Sequence, residues 1–305
     1  MSNLKIKVFF WAVAFVLPTL VCAAQENPKQ PDTPGEIILI ADRQSKFCST
    51  AMPEGILASI FPERSMNALD YRDAAAVAII KKYGVKELPC FLLPEDISQE
   101  DNFARISHLL GRNTDKYLLD RSMSGLFLFL ERPVKSKQVD YFLNFYSKRA
   151  GDILPKLADY CVKNKVELDI HFIFPEKAKF VYQRQEAELA LAVKKIAPEK
   201  FYDYLYRRLA NVTGLYWIDA LEDSKVPYHK VKDVVKSAQM DKMIQENAAL
   251  ARELGISDGD VILVNNRRVA RLTSVNDADL TKLLEEDSAE AGQEKKPEKT
   301  EKGSN

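Results

Sequence analysis

The chain has 305 residues, 46% of them hydrophobic and 29% charged, with 44 basic side chains against 44 acidic ones. That composition describes an ordinary globular protein with core enough to fold unaided, and its four cysteines, of which three follow residue 24, are too few in this length for a disulfide framework. A formal net charge of zero argues against nucleic acid or an anionic membrane surface as a partner.

The first residues read as a processing signal. Lys5 and Lys7 precede an apolar run over residues 8–20, and small residues follow at Ala23 and Ala24, which predicts cleavage after Ala24. The run is short for a membrane span and no stop-transfer pattern follows Gln25, so no transmembrane segment is expected once the signal is removed. Acylation of Cys22 is the alternative, disfavoured by the bulky Val21 ahead of it. The expected location is periplasmic or extracellular. Export leaves Cys48, Cys90 and Cys161 in the mature chain, and an odd number in an oxidising compartment implies a free thiol or an intermolecular partner.

Residues 25–35 hold three prolines and read as a linker. The next stretch has a β-α-β-α-β pattern. Residues 36–41 (EIILIA) form a nearly continuous apolar run, as expected of a strand buried on both faces. A helix is expected from Cys48 to about Ile60, and residues 65–71 (SMNALDY) alternate as a second strand. Asp73 suits the N-cap of a helix over residues 74–83, closed by Gly84 in a left-handed conformation. Residues 85–88, Pro89 and a strand over residues 90–93 come next, then a strand at residues 125–130 (GLFLFL), with Arg132-Pro133 as the boundary.

The second half begins with a strand at residues 139–145 and a helix over residues 150–163. A strand is expected at residues 167–174 (ELDIHFIF). Helical periodicity covers residues 185–209, interrupted near Pro198, and returns over residues 231–254, stopped by Gly255. Residues 261–264 (VILV), a turn at Asn265-Asn266 and residues 268–272 make a hairpin, followed by a helix over residues 278–285. Residues 287–305 are almost wholly Lys, Glu, Gly, Ser, Ala and Pro, too polar to offset chain entropy by burial, and are expected to be disordered.

Two resemblances follow. Tyr83-Gly84-Val85 through Leu88-Pro89-Cys90 resembles the cis-proline loop of thioredoxin, over residues 36–133. Residues 134–286 resemble the DsbA family, exported thiol-disulfide oxidoreductases with a helical domain inserted in a thioredoxin fold. The matching pieces are residues 141–145 (YFLNF), Leu254-Gly255-Ile256, and residues 261–266 before a hairpin. The implied fold class is α/β, with two thioredoxin-like domains, each a mixed sheet flanked by helices, the second carrying the helical insertion.

The departures bear on activity. The family places two cysteines two residues apart at the first helix's N-terminus, facing a cis-proline. The matching window in the second half is Tyr146-Ser147-Lys148-Arg149-Ala150, without a thiol, and Asp260 stands at the proline position. In the first half, Cys48-Ser49-Thr50-Ala51 keeps the attacking position and loses the resolving one, and Pro89 is kept.

A thiol at a helix N-terminus is expected to have a depressed pKa, because unpaired N–H groups stabilise its thiolate. Cys48 is therefore the candidate nucleophile, Cys90 a non-standard resolving thiol, and Pro89 the residue aligning a substrate strand. The same two cysteines equally fit core packing or a static disulfide. Cys161 reads as core. His108, His171 and His229 are scattered without paired spacing, so neither metal nor cofactor is expected. Phosphate loops, G-x-S-x-G and H-E-x-x-H are absent, and Asn211-Val212-Thr213 is an isolated sequon. The aromatic residues from Phe201 to Trp217 read as helical core before groove lining. Two functions stay open: binding of an exported protein or peptide, as chaperone or scaffold, and residual thiol-disulfide exchange.

Overall fold

The computed structural model describes residues 35–174, 181–210 and 217–293. The expected signal, Cys22, nearly all of the linker, the sequon at Asn211 and residues 294–305 lie outside the described residues.

The protein is a mixed α/β structure with two mixed sheets flanked by helices. The first half runs β1 (Ile37–Ala41), α1 (Ala51–Ile60), β2 (Met66–Asp70), α2 (Ala74–Tyr83), β3 (Glu87–Leu88) and β4 (Cys90–Pro94). β5 (Leu110–Asn113), β6 (Lys116–Leu119), a short helix α3 (Arg121–Ser124) and β7 (Leu128–Phe129) follow. The first sheet has the order β2-β1-β4-β6-β5, with β1 parallel to β2 and antiparallel to β4. This central position explains why β1 is apolar throughout. Ile38 and Ile40 pack on the α2 side with Ala76, Ile79 and Tyr83, while Ile37 and Leu39 pack on the α1 side with Leu57 and Phe61. Gly84 closes α2 at φ 60°, where a residue with a Cβ is disfavoured.

The second half runs β8 (Gln138–Leu143), α4 (Ala150–Asn164) and β9 (Glu167–Phe172). The inserted helices are α5 (Val181–Ile196), α6 (Phe201–Ala210), α7 (Trp217–Asp223), α8 (Tyr228–Val235) and α9 (Met240–Glu253). β10 (Val261–Val264), β11 (Arg268–Arg271) and α10 (Asp277–Gln293) complete it. The β-α-β and β-β-α pieces with a helical insertion between them form a thioredoxin-like arrangement, in the strand order β9-β8-β10-β11.

This second sheet does not stop at the second half. β7 pairs with β11 through Arg268↔Leu128, and β3 pairs with β7 through Glu87↔Phe129 and Leu88↔Leu128. The full order is β3-β7-β11-β10-β8-β9. One apolar cluster accordingly runs from Ile38, Leu88 and Leu92 through Phe127 and Leu128 to Val139, Tyr141, Ile262 and Val264.

Several local expectations need correction. Residues 125–130 give only a two-residue strand, because Gly125 takes φ 80° and Phe127 pairs its amide and carbonyl with different neighbours. The β5–β6 hairpin was not expected, its residues being half polar at the sheet edge. The periodic stretch 231–254 is two helices, broken at residues 236–239. α10 extends to Gln293, so the charged segment begins as helix, Ala and Glu being good helix formers. Among the described residues no helix is long and apolar enough to cross a membrane.

Candidate functional site

The Leu88–Pro89 peptide bond is cis. Pro89 lines a groove of about 660 Å³, together with Phe47 and Ser49, which flank Cys48. Leu254–Asp258 in the second half, Val269 and Arg271 of β11, and Asp120, Arg121, Ser122 and Gly125 in and around α3 also line it. The Cys48 segment and the Pro89 turn therefore meet at one groove, and the groove lies between the two halves of the chain.

Cys48 does not sit at the helix N-terminus. α1 begins at Ala51 with Thr50 as N-cap, leaving Cys48 two residues outside, with its amide donating to the Ser45 carbonyl at 3.2 Å. The helix field falls off within a turn, so it stabilises a thiolate there little. The half-buried side chain instead packs against the cores on both sides of the first sheet. Burial pushes the Cys48 thiol up to about 11; a hydrogen bond from the Asp42 backbone opposes this, the Asp42 charge adds to it, and Arg268 opposes it. The expected depression of the Cys48 pKa is thus reversed, because desolvation outweighs every favourable contact.

Cys90 begins β4 opposite Ile40 and is almost wholly buried, and burial pushes its thiol up to about 12. Cys161 is core on α4, also near 12 through burial. All three are free thiols, so the disulfide alternative for Cys48 and Cys90 is not formed. Phe201 and Tyr204 are core, and Tyr202 donates its hydroxyl to the Leu168 carbonyl at 3.2 Å, spanning α6 and β9.

The sequence reading missed Asp42, which follows β1 and is fully buried beside Cys48. It accepts from Arg268 at 3.0 Å and from both terminal nitrogens of Arg72 at 3.1 and 3.2 Å. Arg268 is fully buried too and comes from β11. The loop after Asp42 makes further contacts with the second half: Lys46 pairs with Asp279 at 2.5 Å, and Lys282 donates to the Gln44 carbonyl at 3.2 Å. An aspartate followed by a polar loop and Cys48 was the available signal; its arginine partner, from the far end of the chain, was not readable.

The backbone edge beside Pro89 is also engaged. Phe127 donates its amide to the Leu88 carbonyl at 2.7 Å, and its own carbonyl accepts from Val269 at 2.7 Å. β7 thus stitches the strand before Pro89 to β11.

In the second half the thiol-free window is filled by a polar cluster. Ser147 donates to Asp260 at 2.5 Å, Tyr141 donates to the other Asp260 oxygen at 3.1 Å, and Arg149 lies 3.8 Å away. Burial, with the Asp260 charge and hydrogen bond, raises the Tyr141 pKa far above the usual phenol range. Asp260 adopts φ 61°, and Gly259 before it presses against Asn144: a Cβ there would lie 2.6 Å from Asn144 Cβ.

No family profile and no curated protein sequence matches the chain. Among solved structures it is similar to the oxidoreductase NmDsbA1 from N. meningitidis: 15% identity, 56% of this chain and 94% of that one, TM-score 0.42. It is also similar to Proteus mirabilis ScsC in a compact conformation: 18% identity, 52% and 86% covered, TM-score 0.42. A third is the thiol-disulfide exchange protein alpha-DsbA2 from Wolbachia pipientis: 17% identity, 52% and 87% covered, TM-score 0.40.

Proposed function

We propose that this chain is an exported tandem thioredoxin-fold protein that works by holding an extended polypeptide in the groove between its halves, as a chaperone or scaffold. The observation that carries this reading is the groove itself: Phe47, Ser49 and Pro89 line it together with Leu254–Asp258 and Arg271 over about 660 Å³, while burial raises the pKa of the neighbouring thiol. The lining combines half-buried apolar side chains such as Phe47, Leu126 and Ile256 with polar ones at Ser49, Ser257 and Asp258. Such mixed walls suit a peptide backbone and alternate side chains.

Binding of an unfolded, reduced and carboxymethylated polypeptide, followed by fluorescence anisotropy, tests the reading. Ile256→Glu and Leu126→Glu should each weaken it at least about tenfold, since a carboxylate would be desolvated in the occupied groove. Unchanged binding in both variants would exclude the groove.

A second reading has one observation in its favour. The Asp42 backbone and the Arg268 guanidinium both act to stabilise a thiolate on Cys48. In that reading Cys48 attacks a substrate disulfide, Pro89 aligns the substrate strand, and Cys90 releases the mixed disulfide. Insulin reduction that disappears with Cys48→Ser would establish it, and retention of polypeptide binding by the same variant would keep the binding reading separate.

A further inference from the structure

On the strands β8 and β9, outside the residues that line the groove, two carboxylates and an imidazole converge. Asp140 and Asp169 are register partners across the parallel pair, and His171, two residues after Asp169, projects from the same face. One ligand atom from each of the three lies within 4.8 Å of the others.

The hydrogen bonding of His171 restricts what can occupy this space. Its Nδ1 lies 3.1 Å from the Asn247 carbonyl, which only accepts, so Nδ1 carries a hydrogen. Its Nε2 faces Asp140 Oδ1 at 2.9 Å. Two lone pairs do not meet at that distance; a proton or a metal cation must lie between them.

The surrounding groups are those that orient metal ligands. Gln138 Nε2 donates to both Asp140 oxygens at 3.1 and 3.2 Å, and Lys194 donates to Asp169 at 2.9 Å. Asn247 is itself fixed, accepting from the Phe172 amide at 2.8 Å and donating to the Ile170 carbonyl at 3.0 Å. The Phe142 ring stacks on the imidazole with centroids 5.3 Å apart.

We infer that Asp140, Asp169 and His171 form a binding site for a divalent first-row transition ion, with zinc as its test ion. One imidazole with two carboxylates and no thiolate suits zinc, manganese or cobalt over copper(I). Ligand atoms around zinc sit about 3.3 Å apart, so the His171–Asp140 pair at 2.9 Å must open slightly while Asp169 closes in, and Asp169, with its side chain 45% exposed, has the freedom to do so. That exposed side also admits the ion and leaves a coordination position for water. Zinc takes the place of the proton on Nε2, so binding releases that proton to buffer.

Calorimetric titration of the purified protein with zinc chloride, in two buffers of different protonation enthalpy, tests this. The expected result is about one zinc and about one released proton per chain. Asp169→Asn, a change at an exposed side chain, should weaken binding at least about tenfold while leaving the urea midpoint in place. Cobalt should give visible d–d absorption that His171→Gln removes. Absence of binding at about 0.1 mM zinc, or binding that Asp169→Asn leaves unchanged, overturns the assignment.

Discussion

Arg268 and Asp42, 226 residues apart in sequence, form a fully buried ion pair at 3.0 Å that joins the second half of the chain to the loop carrying Cys48. A buried pair gains little over well-packed apolar residues, but removing one partner strands the other's charge. Arg268→Met leaves Asp42 to Arg72, whose side chain is 35% exposed. The variant should lose about 3–5 kcal/mol in urea unfolding. Asp42→Leu combined with Arg268→Met should recover much of that loss, and purely additive losses would show that the two residues are not coupled.

Cys48 should behave as a slow thiol. With its pKa near 11, only about one molecule in a thousand carries the thiolate at pH 8. Iodoacetamide should label it on the order of a hundredfold more slowly than an unperturbed thiol at that pH. The sign is set by the raised pKa: the rate should climb about tenfold per pH unit and level off only near pH 11. A plateau near pH 8 would mean that the thiolate is stabilised after all.

Gly259→Ala tests the close approach beneath Asp260. The added methyl would lie 2.6 Å from Asn144 Cβ and 2.8 Å from its backbone nitrogen, and neither atom belongs to a flexible chain end. Overpacking of this kind costs about 1–3 kcal/mol, read as a lowered urea midpoint. Gly55→Ala, at a helix position with open space around it, provides the control and should be neutral or stabilising.

Ser147→Cys tests how the Asp260 carboxylate acts on a thiol placed beside it. The introduced sulfur would lie against the Asp260 carboxylate, which accepts from Ser147 at 2.5 Å in the native protein. A like charge at that distance disfavours the thiolate, so alkylation should have its midpoint above the usual cysteine value of about 8.5. Adding Asp260→Asn should bring the midpoint down. Equal midpoints in the single and double variants would remove Asp260 from the explanation.

Local pattern made the elements legible. The apolar run of β1, the Gly84 end of α2, and the positive φ of Asn265 and Asn266 all follow from short-range chemistry, whereas Asp73 stands at the N-cap of α2 without a capping hydrogen bond, its carboxylate accepting from the Asp70 amide at 3.1 Å. What the pattern could not supply was partnership over distance. Asp42 reads as the end of a strand until Arg268 is placed against it. His171 reads as an isolated histidine because its neighbours Asp140 and Asp169 are related by strand register, not by spacing along the chain. Cys48 is harder to read for a subtler reason: its proximity to α1 is visible in the sequence, but the start of that helix only at Ala51 and the partial burial that raises the thiol pKa are not.

Asn265 and Asn266 do more than turn the β10–β11 hairpin. Asn266 donates to the Pro133 carbonyl at 3.0 Å and Asn265 accepts from the Lys137 amide at 2.9 Å, clasping the chain where it crosses from one half to the other. With β7 lodged between β3 and β11, cleavage of the peptide bond after Arg132 would divide the second sheet, leaving β3 and β7 on one fragment and β8–β11 on the other. The polypeptide should therefore melt as one cooperative block, and a nick at that crossing should leave the fragments associated until the entire molecule unfolds.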